Sequence, residues 1–284
     1  MKVSFFPGCS LEGTAREYGE SIDAISRFLG IKFEELPDWS CCGASSAHCL
    51  NEFLSLSFPA RNLLLAENLR QDLVTPCAAC FSRLKFAEKA LRQESKKAKV
   101  AQSFRGEIKI LHLLDFFSQE DLLKIIKSQI KKPLFGLKIL PYYGCLLVRP
   151  PQVTEVTNWE NPQTLDNLIS LMGGEMIFWS YKTECCGGSL LLTNPDIARR
   201  LIERILDMAR ETEAECIVTA CPLCQANLDT RQDEIGKKKK ISYNLPVLYF
   251  TELLGLTFGL KETKRWLRRH ITDPRPLLKE KNLI

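Results

Sequence analysis

Ten of the twelve cysteines in this 284-residue chain follow one pattern that is written twice. The first set is Cys9, the adjacent pair Cys41-Cys42, then Cys77 and Cys80. The second is Cys145, the pair Cys185-Cys186, then Cys221 and Cys224. In both sets 34 residues separate the pair from the CxxC, whereas the leading interval is 31 residues in one set and 39 in the other. Neighbouring text recurs in step: Gly8 and Gly144 precede the leading cysteines, and Val74-Thr75-Pro76-Cys77 parallels Val218-Thr219-Ala220-Cys221. A chain written this way is a duplication, and each copy must gather a leading thiol, a vicinal pair and a CxxC at one place. The boundary falls near Lys131-Lys132-Pro133. It divides the chain into a first cysteine-rich domain (1–132), a second (133–260) and a basic C-terminal tail (261–284).

The apolar periodicity alternates between strand and helix. Val3 to Phe6 reads as a strand, and Arg16 to Leu29 carries Tyr18, Ile22, Ile25 and Leu29 on one helical face. A helix from Leu54 to Leu69, a buried strand from Asp72 to Thr75 and a helix from Phe81 to Leu91 follow. The second copy repeats the order: strand 138–141, helix 164–171, strand 175–179, helix 195–210, strand 216–219 and helix 225–234. Each copy closes on an apolar run, 108–114 or 247–253. Alternating strands and helices imply an α/β fold with two small, mostly parallel sheets and flanking helices. In such sheets ligands bind beyond the C-terminal ends of the strands, which is where Cys9, Cys77, Cys145 and Cys221 fall.

Composition narrows the setting. A formal charge of +5 arises mainly from local runs at Lys96, Lys97 and Lys99, at Lys237 to Lys240 and from Lys261 to Arg269. We read these as solvated loops rather than a nucleic-acid surface. The N-terminus lacks the pattern of a secretory signal, and the longest weakly charged stretch, 244–260, is shorter than the roughly 20 residues of a bilayer span. The reading is a soluble cytoplasmic protein without a transmembrane segment. There, clustered cysteines indicate metal or redox chemistry rather than structural disulfides.

A CxxC alone serves a redox dithiol, half a zinc site or part of an iron–sulfur site. The vicinal pair reaches one centre only if the chain turns there, and Gly43 and Gly187 supply the permissive backbone. A structural zinc or an ordinary cubane takes four ligands, but each copy offers five thiols. Either one sulfur is spare or the centre is larger and less symmetric. Each CxxC also begins a helix, whose free N–H groups favour anionic sulfur. Cys216 reads as a buried small hydrophobe, and Cys49 as packing rather than a ligand. His48 reads as a loop residue beside the first pair. Tyr142 and Tyr143, next to Cys145, read as aromatic packing, with the lining of a cleft as the alternative.

The duplicated C…CCG…CxxC resembles the cysteine-rich (CCG) domains of the heterodisulfide reductase B-subunit family. The likeness extends to Phe5-Phe6-Pro7-Gly8-Cys9, Ala60-Arg61-Asn62-Leu63, Tyr143-Gly144-Cys145-Leu146 and Cys221-Pro222-Leu223-Cys224, and covers about residues 1 to 260. It implies two non-cubane [4Fe–4S] clusters. One would be held by Cys9, Cys41, Cys42, Cys77 and Cys80, the other by Cys145, Cys185, Cys186, Cys221 and Cys224. It further implies the catalytic subunit of a disulfide oxidoreductase, which cleaves a small disulfide reductively between the two clusters or runs thiol or sulfur oxidation in reverse. The implied partners are a small ferredoxin-like iron–sulfur subunit of the C type, and beyond it a flavin-containing subunit of the A type. The alternative within the same superfamily is an electron-transfer subunit of a lactate or glycolate oxidase or of a succinate dehydrogenase type complex. Outside it stands a zinc-stabilised scaffold.

Overall fold

The computed structural model describes the whole chain except residues 45, 46, 95 and 97–99 and the side chain of His48. The readings made at His48, Lys97 and Lys99 therefore lie outside the described residues.

Each half is built on a four-stranded, all-parallel sheet. In the first half the strands are β1 (Lys2–Phe5), β2 (Lys32–Glu35), β3 (Leu73–Thr75) and β4 (Ile110–His112), in spatial order β2-β1-β3-β4. In the second they are β5 (Lys138–Tyr142), β6 (Glu175–Met176), β7 (Cys216–Thr219) and β8 (Val247–Tyr249), in order β6-β5-β7-β8. The topology is repeated along with the cysteines. The central strands are buried, as parallel strands covered on both faces must be. The apolar runs that close each half prove to be the edge strands β4 and β8.

The helices follow the apolar stripes. Arg16–Phe28 buries Tyr18, Ile22 and Ile25, and each isoleucine contributes about 1.5–3 kcal/mol by leaving water. The helix Glu52–Leu69 begins at Asn51, whose side chain accepts the N–H groups of Phe53 and Leu54 at 2.7 and 3.3 Å. It stops where Arg70 turns left-handed at φ 52°. Three expectations are corrected. The strand at 175–179 pairs only over Glu175–Met176. The CxxC helices start at Ala78 and Pro222, directly after the first cysteine of each motif. The helix expected over 225–234 is two helices, Pro222–Thr230 and Gln232–Lys239.

The halves meet along a seam. Helix Arg16–Phe28 packs on helix Phe250–Phe258: Tyr18 stacks on Tyr249 at 4.0 Å and 2°, Ser21 and Thr251 share a hydrogen bond of 2.6 Å, and Phe28 stacks on Phe258 at 4.9 Å. Lys85 and Lys89 of the first CxxC helix, Ala78–Leu91, pair with Glu155 of the second half at 2.7 and 3.0 Å.

The basic segment 261–284 is folded onto the body. Trp266, Leu267 and Leu278 are fully buried, and Arg265 and Arg269 reach across to Glu20 of the first half at 2.9 and 2.8 Å. Asp229, on the second CxxC helix, accepts the N–H groups of Ile271 and Thr272 at 2.8 and 3.0 Å. Among the described residues no helix is long and apolar enough to cross a membrane.

Candidate metal centre

Strand ends deliver the thiols. Cys9 and Cys77 follow β1 and β3, and Cys145 and Cys221 follow β5 and β7, so all four lie beyond the C-terminal edges of their sheets. Cys77 and Cys221 are extended and form the N-cap positions of Ala78–Leu91 and Pro222–Thr230. Neither side chain is spent on capping, so sulfur and free backbone N–H groups face the same space.

The vicinal pairs turn at glycine. Gly43 and Gly187 adopt φ +78° and +71°, which lets each N–H fold back onto the sulfur of the first cysteine, at 3.4 Å for Cys41 and 3.3 Å for Cys185. The second cysteine is thereby directed inward. Cys42 lies 3.3 Å from Cys80, and Cys186 lies 3.5 Å from Cys224. Gly8 and Gly144 bring the leading loops against the same thiols. A Cβ at Gly8 would stand 3.0 Å from the Cys80 sulfur, and one at Gly144 2.8 Å from that of Cys224.

Further thiol contacts link these pairs. Cys41 stands beside Cys42, Cys77 beside Cys80 and Cys221 beside Cys224, and Cys77 faces Cys221 across the seam, each pair close enough to perturb the other's proton affinity. A continuous row of seven sulfurs thus runs from Cys41 to Cys186 through both halves. Cys145 contacts Cys185 at one rim, and Cys9 stands within electrostatic reach of Cys41 at the other. The inner four, Cys77, Cys80, Cys221 and Cys224, are 3–6% exposed, whereas Cys9 and Cys41 are exposed and Cys145 and Cys185 half-buried.

The row mixes thiols of low and high proton affinity. Hydrogen bonds from Cys41 and then Cys80 hold Cys42 down at about 3, and one from Cys145 holds Cys185 down at about 6. Cys221 is held far below the ordinary thiol range by Cys224 and Cys77, with the backbone N–H groups of Cys224 and Ala78 adding to them. Their neighbours Cys41, Cys77, Cys80, Cys145 and Cys224 are correspondingly raised. Lowered thiols thus adjoin raised ones in each half. Among the described residues no three such groups converge on the volume of one ion. The donors are spread along the seam as neighbouring pairs.

The remaining candidates separate clearly. Cys216 is fully buried in β7, where burial raises its thiol. Cys49, read as packing rather than a ligand, is exposed; it sits on the short helix Ala47–Leu50 that follows the first pair. Tyr142 and Tyr143 are both buried. Tyr142 donates to the Glu184 carbonyl at 2.7 Å, and Tyr143 to Asp166 at 2.6 Å, so they brace the cysteine loops rather than line a cleft. No pattern in the chain marks Lys182, fully enclosed and paired with Asp166 at 2.8 Å, or the seam residues Tyr18 and His112. Their signal exists only in three dimensions.

A family model described as the cysteine-rich CCG domain matches residues 3–85 and again 139–229, each match spanning one complete set of thiols. The chain belongs to the CCG family that includes the B subunits of heterodisulfide reductases. It is 34% identical over 278 residues to the membrane anchor subunit of 8-methylmenaquinol:fumarate reductase from Wolinella succinogenes, covering 96% of this chain and 97% of that one. It is 29% identical to the B subunit of ferredoxin:CoB-CoM heterodisulfide reductase from Methanosarcina mazei, covering 91% of this chain and 89% of the relative. In fold it is similar to a hypothetical protein from Helicobacter pylori, with a TM-score of 0.75 at 12% identity over 96% of this chain and 52% of that one.

Proposed function

We propose that this chain is the catalytic iron–sulfur subunit of a heterodisulfide reductase-like complex, with two non-cubane [4Fe–4S] clusters. Cys9, Cys41, Cys42, Cys77 and Cys80 hold one. Cys145, Cys185, Cys186, Cys221 and Cys224 hold the other. The observation that carries this reading is the continuous thiol row, buried at the seam and open at both rims. The buried middle keeps the two centres close enough to share electrons, and the open ends admit a small molecule. The residues fit such clusters on the chemistry of the donors: ten thiols, none in a disulfide, with glycine N–H groups turned onto the sulfurs of Cys41 and Cys185.

When bound, the clusters supply single electrons to a reaction that overall consumes a disulfide, two electrons and two protons and yields two thiols. The protein keeps the inner sulfurs dry and leaves Cys9, Cys41, Cys145 and Cys185 at the approach to the site. Electrons would come from a ferredoxin-like iron–sulfur subunit of the C type, supplied in turn by a flavin-containing subunit of the A type, in a cytoplasmic assembly. The two halves, with their junction near residue 132, are read as two domains of one site.

A second reading follows from the relative in a fumarate reductase: an electron-transfer subunit that serves a quinol-linked complex. One experiment separates them. Anaerobically purified protein is analysed for iron, sulfide and zinc, then reduced with viologen and offered oxidised glutathione or a soluble naphthoquinone. The proposal expects iron and sulfide with oxidation by the disulfide. Oxidation by the quinone alone selects the second reading, and zinc without sulfide removes both.

A further inference from the structure

The seam is not symmetrical in what it holds. Tyr18, fully buried in the first half, donates its hydroxyl at 3.2 Å to the carbonyl of Ala220, the residue before Cys221. His112, at the end of β4, is also fully buried, and its ring lies edge-on to Phe81 at 5.9 Å. Its Nδ1 accepts the N–H of Leu114 at 3.1 Å, so the proton sits on Nε2. The ring faces the carbonyls of Pro76 and Ala220, the residues preceding the two CxxC motifs, without closing a bond of good geometry. Its Nε2–H is buried without a hydrogen-bond partner.

The second half does not return these contacts. Register makes Tyr249 the counterpart of His112, since His112 lies opposite Thr75 and Tyr249 opposite Thr219. The Tyr249 hydroxyl turns instead to Gln225 of its own half at 3.4 Å. Among the described residues no second-half side chain makes the matching bond to the Pro76 carbonyl.

We propose that Tyr18 is a positioning residue for the second site: through its hydroxyl the first half holds the Ala220–Cys221 segment across the seam, and no second-half side chain among the described residues holds the Pro76–Cys77 segment in the same way. This rests in part on the iron–sulfur reading above. Removing the Tyr18 hydroxyl frees the Ala220 carbonyl while leaving the ring stack in place.

The test uses the full chain, reconstituted anaerobically in two backgrounds, Cys42→Ala to isolate the second site and Cys186→Ala to isolate the first. Tyr18→Phe should change the electron paramagnetic resonance signal and midpoint potential of the second site. The first-site signal should stay as it was. In the metal-free chain, iodoacetamide should alkylate Cys221 about fivefold faster in Tyr18→Phe, the equivalent of one ordinary hydrogen bond, with Cys77 unchanged. Equal shifts at both sites, or an unmoved second site in folded Tyr18→Phe, would overturn the proposal. If the wild-type chain binds no iron or sulfide, the functional reading falls, and the alkylation rates alone decide whether the clamp exists.

Discussion

The two halves carry the same sulfurs on different foundations. In the first, Cys9 and Cys41 lie exposed, and the segment leading to the pair is tied down at the surface, where Arg61 bonds Asp38. In the second, Cys145 and Cys185 are half-buried above a closed network. There Asp166 takes both the Tyr143 hydroxyl and the Lys182 ammonium, and the Lys182 carbonyl accepts the N–H groups of Tyr143 and Gly144 at 2.8 and 3.2 Å. Lys182 and Asp38 each stand three residues before their pair, yet one is enclosed and the other 86% exposed on its side chain. Duplication preserved the donors and their register while the supports diverged. Two sites with one ligand set therefore need not share stiffness or potential.

The most severe way to break the comparison is to remove one donor from each copy. Cys42→Ala and Cys186→Ala should each abolish the spectroscopic signal of their own site and leave the other, with iron and sulfide content falling by about half on the expectation of one cluster per site. Survival of both signals in either variant would end the assignment of five ligands to each half.

A smaller effect tests the foundations. Lys182→Met leaves the Asp166 carboxylate enclosed without its cation and should cost about 3–5 kcal/mol in urea unfolding. Asp38→Ala, at the corresponding place in the first half, breaks an exposed pair and should cost about 1 kcal/mol or less. Similar losses in the two would mean that the supports have not diverged as described.

The gentlest probe is pH. His270 bonds Glu252 at 2.9 Å in the buried second half. Burial disfavours the charged imidazole, but Glu252, Asp229 and Glu17 together outweigh it and raise the group to about 9. A folded value above the ordinary 6.5 means that the ion pair stabilises fully below about pH 6.5 and that this contribution disappears as pH rises through about 9. The urea midpoint should fall across that window, and His270→Asn should flatten the fall. An unchanged slope in the variant would show that another group titrates there.

Much of this was legible because duplication repeats what must not move. Cysteine spacing revealed two copies, and the strand–helix alternation pointed to parallel sheets with the thiols at their C-terminal edges. The short edge strands were harder. β2 is the charged stretch Lys-Phe-Glu-Glu, held by pairing to β1 rather than by apolar content, and it carries no periodic signal of burial. The seam was illegible for a different reason. Tyr18 is one more apolar position on a helical stripe, and His112 sits in an apolar run; neither announces that it will meet a loop from the other copy. The packed segment 261–284 was hidden by its charge, because Arg265 and Arg269 find Glu20 only once the two halves are together.

That closing segment also sets an order of events during synthesis. The second CxxC helix obtains partners for Gln225 and Asp229 from residues 270–272, at 2.8–3.2 Å, and these leave the ribosome after all ten cysteines of the two sets. A nascent chain can thus assemble its first sulfur nest well before the second has its final brace. Truncation at the C-terminus would strike the distal nest first, although it removes none of its ligands.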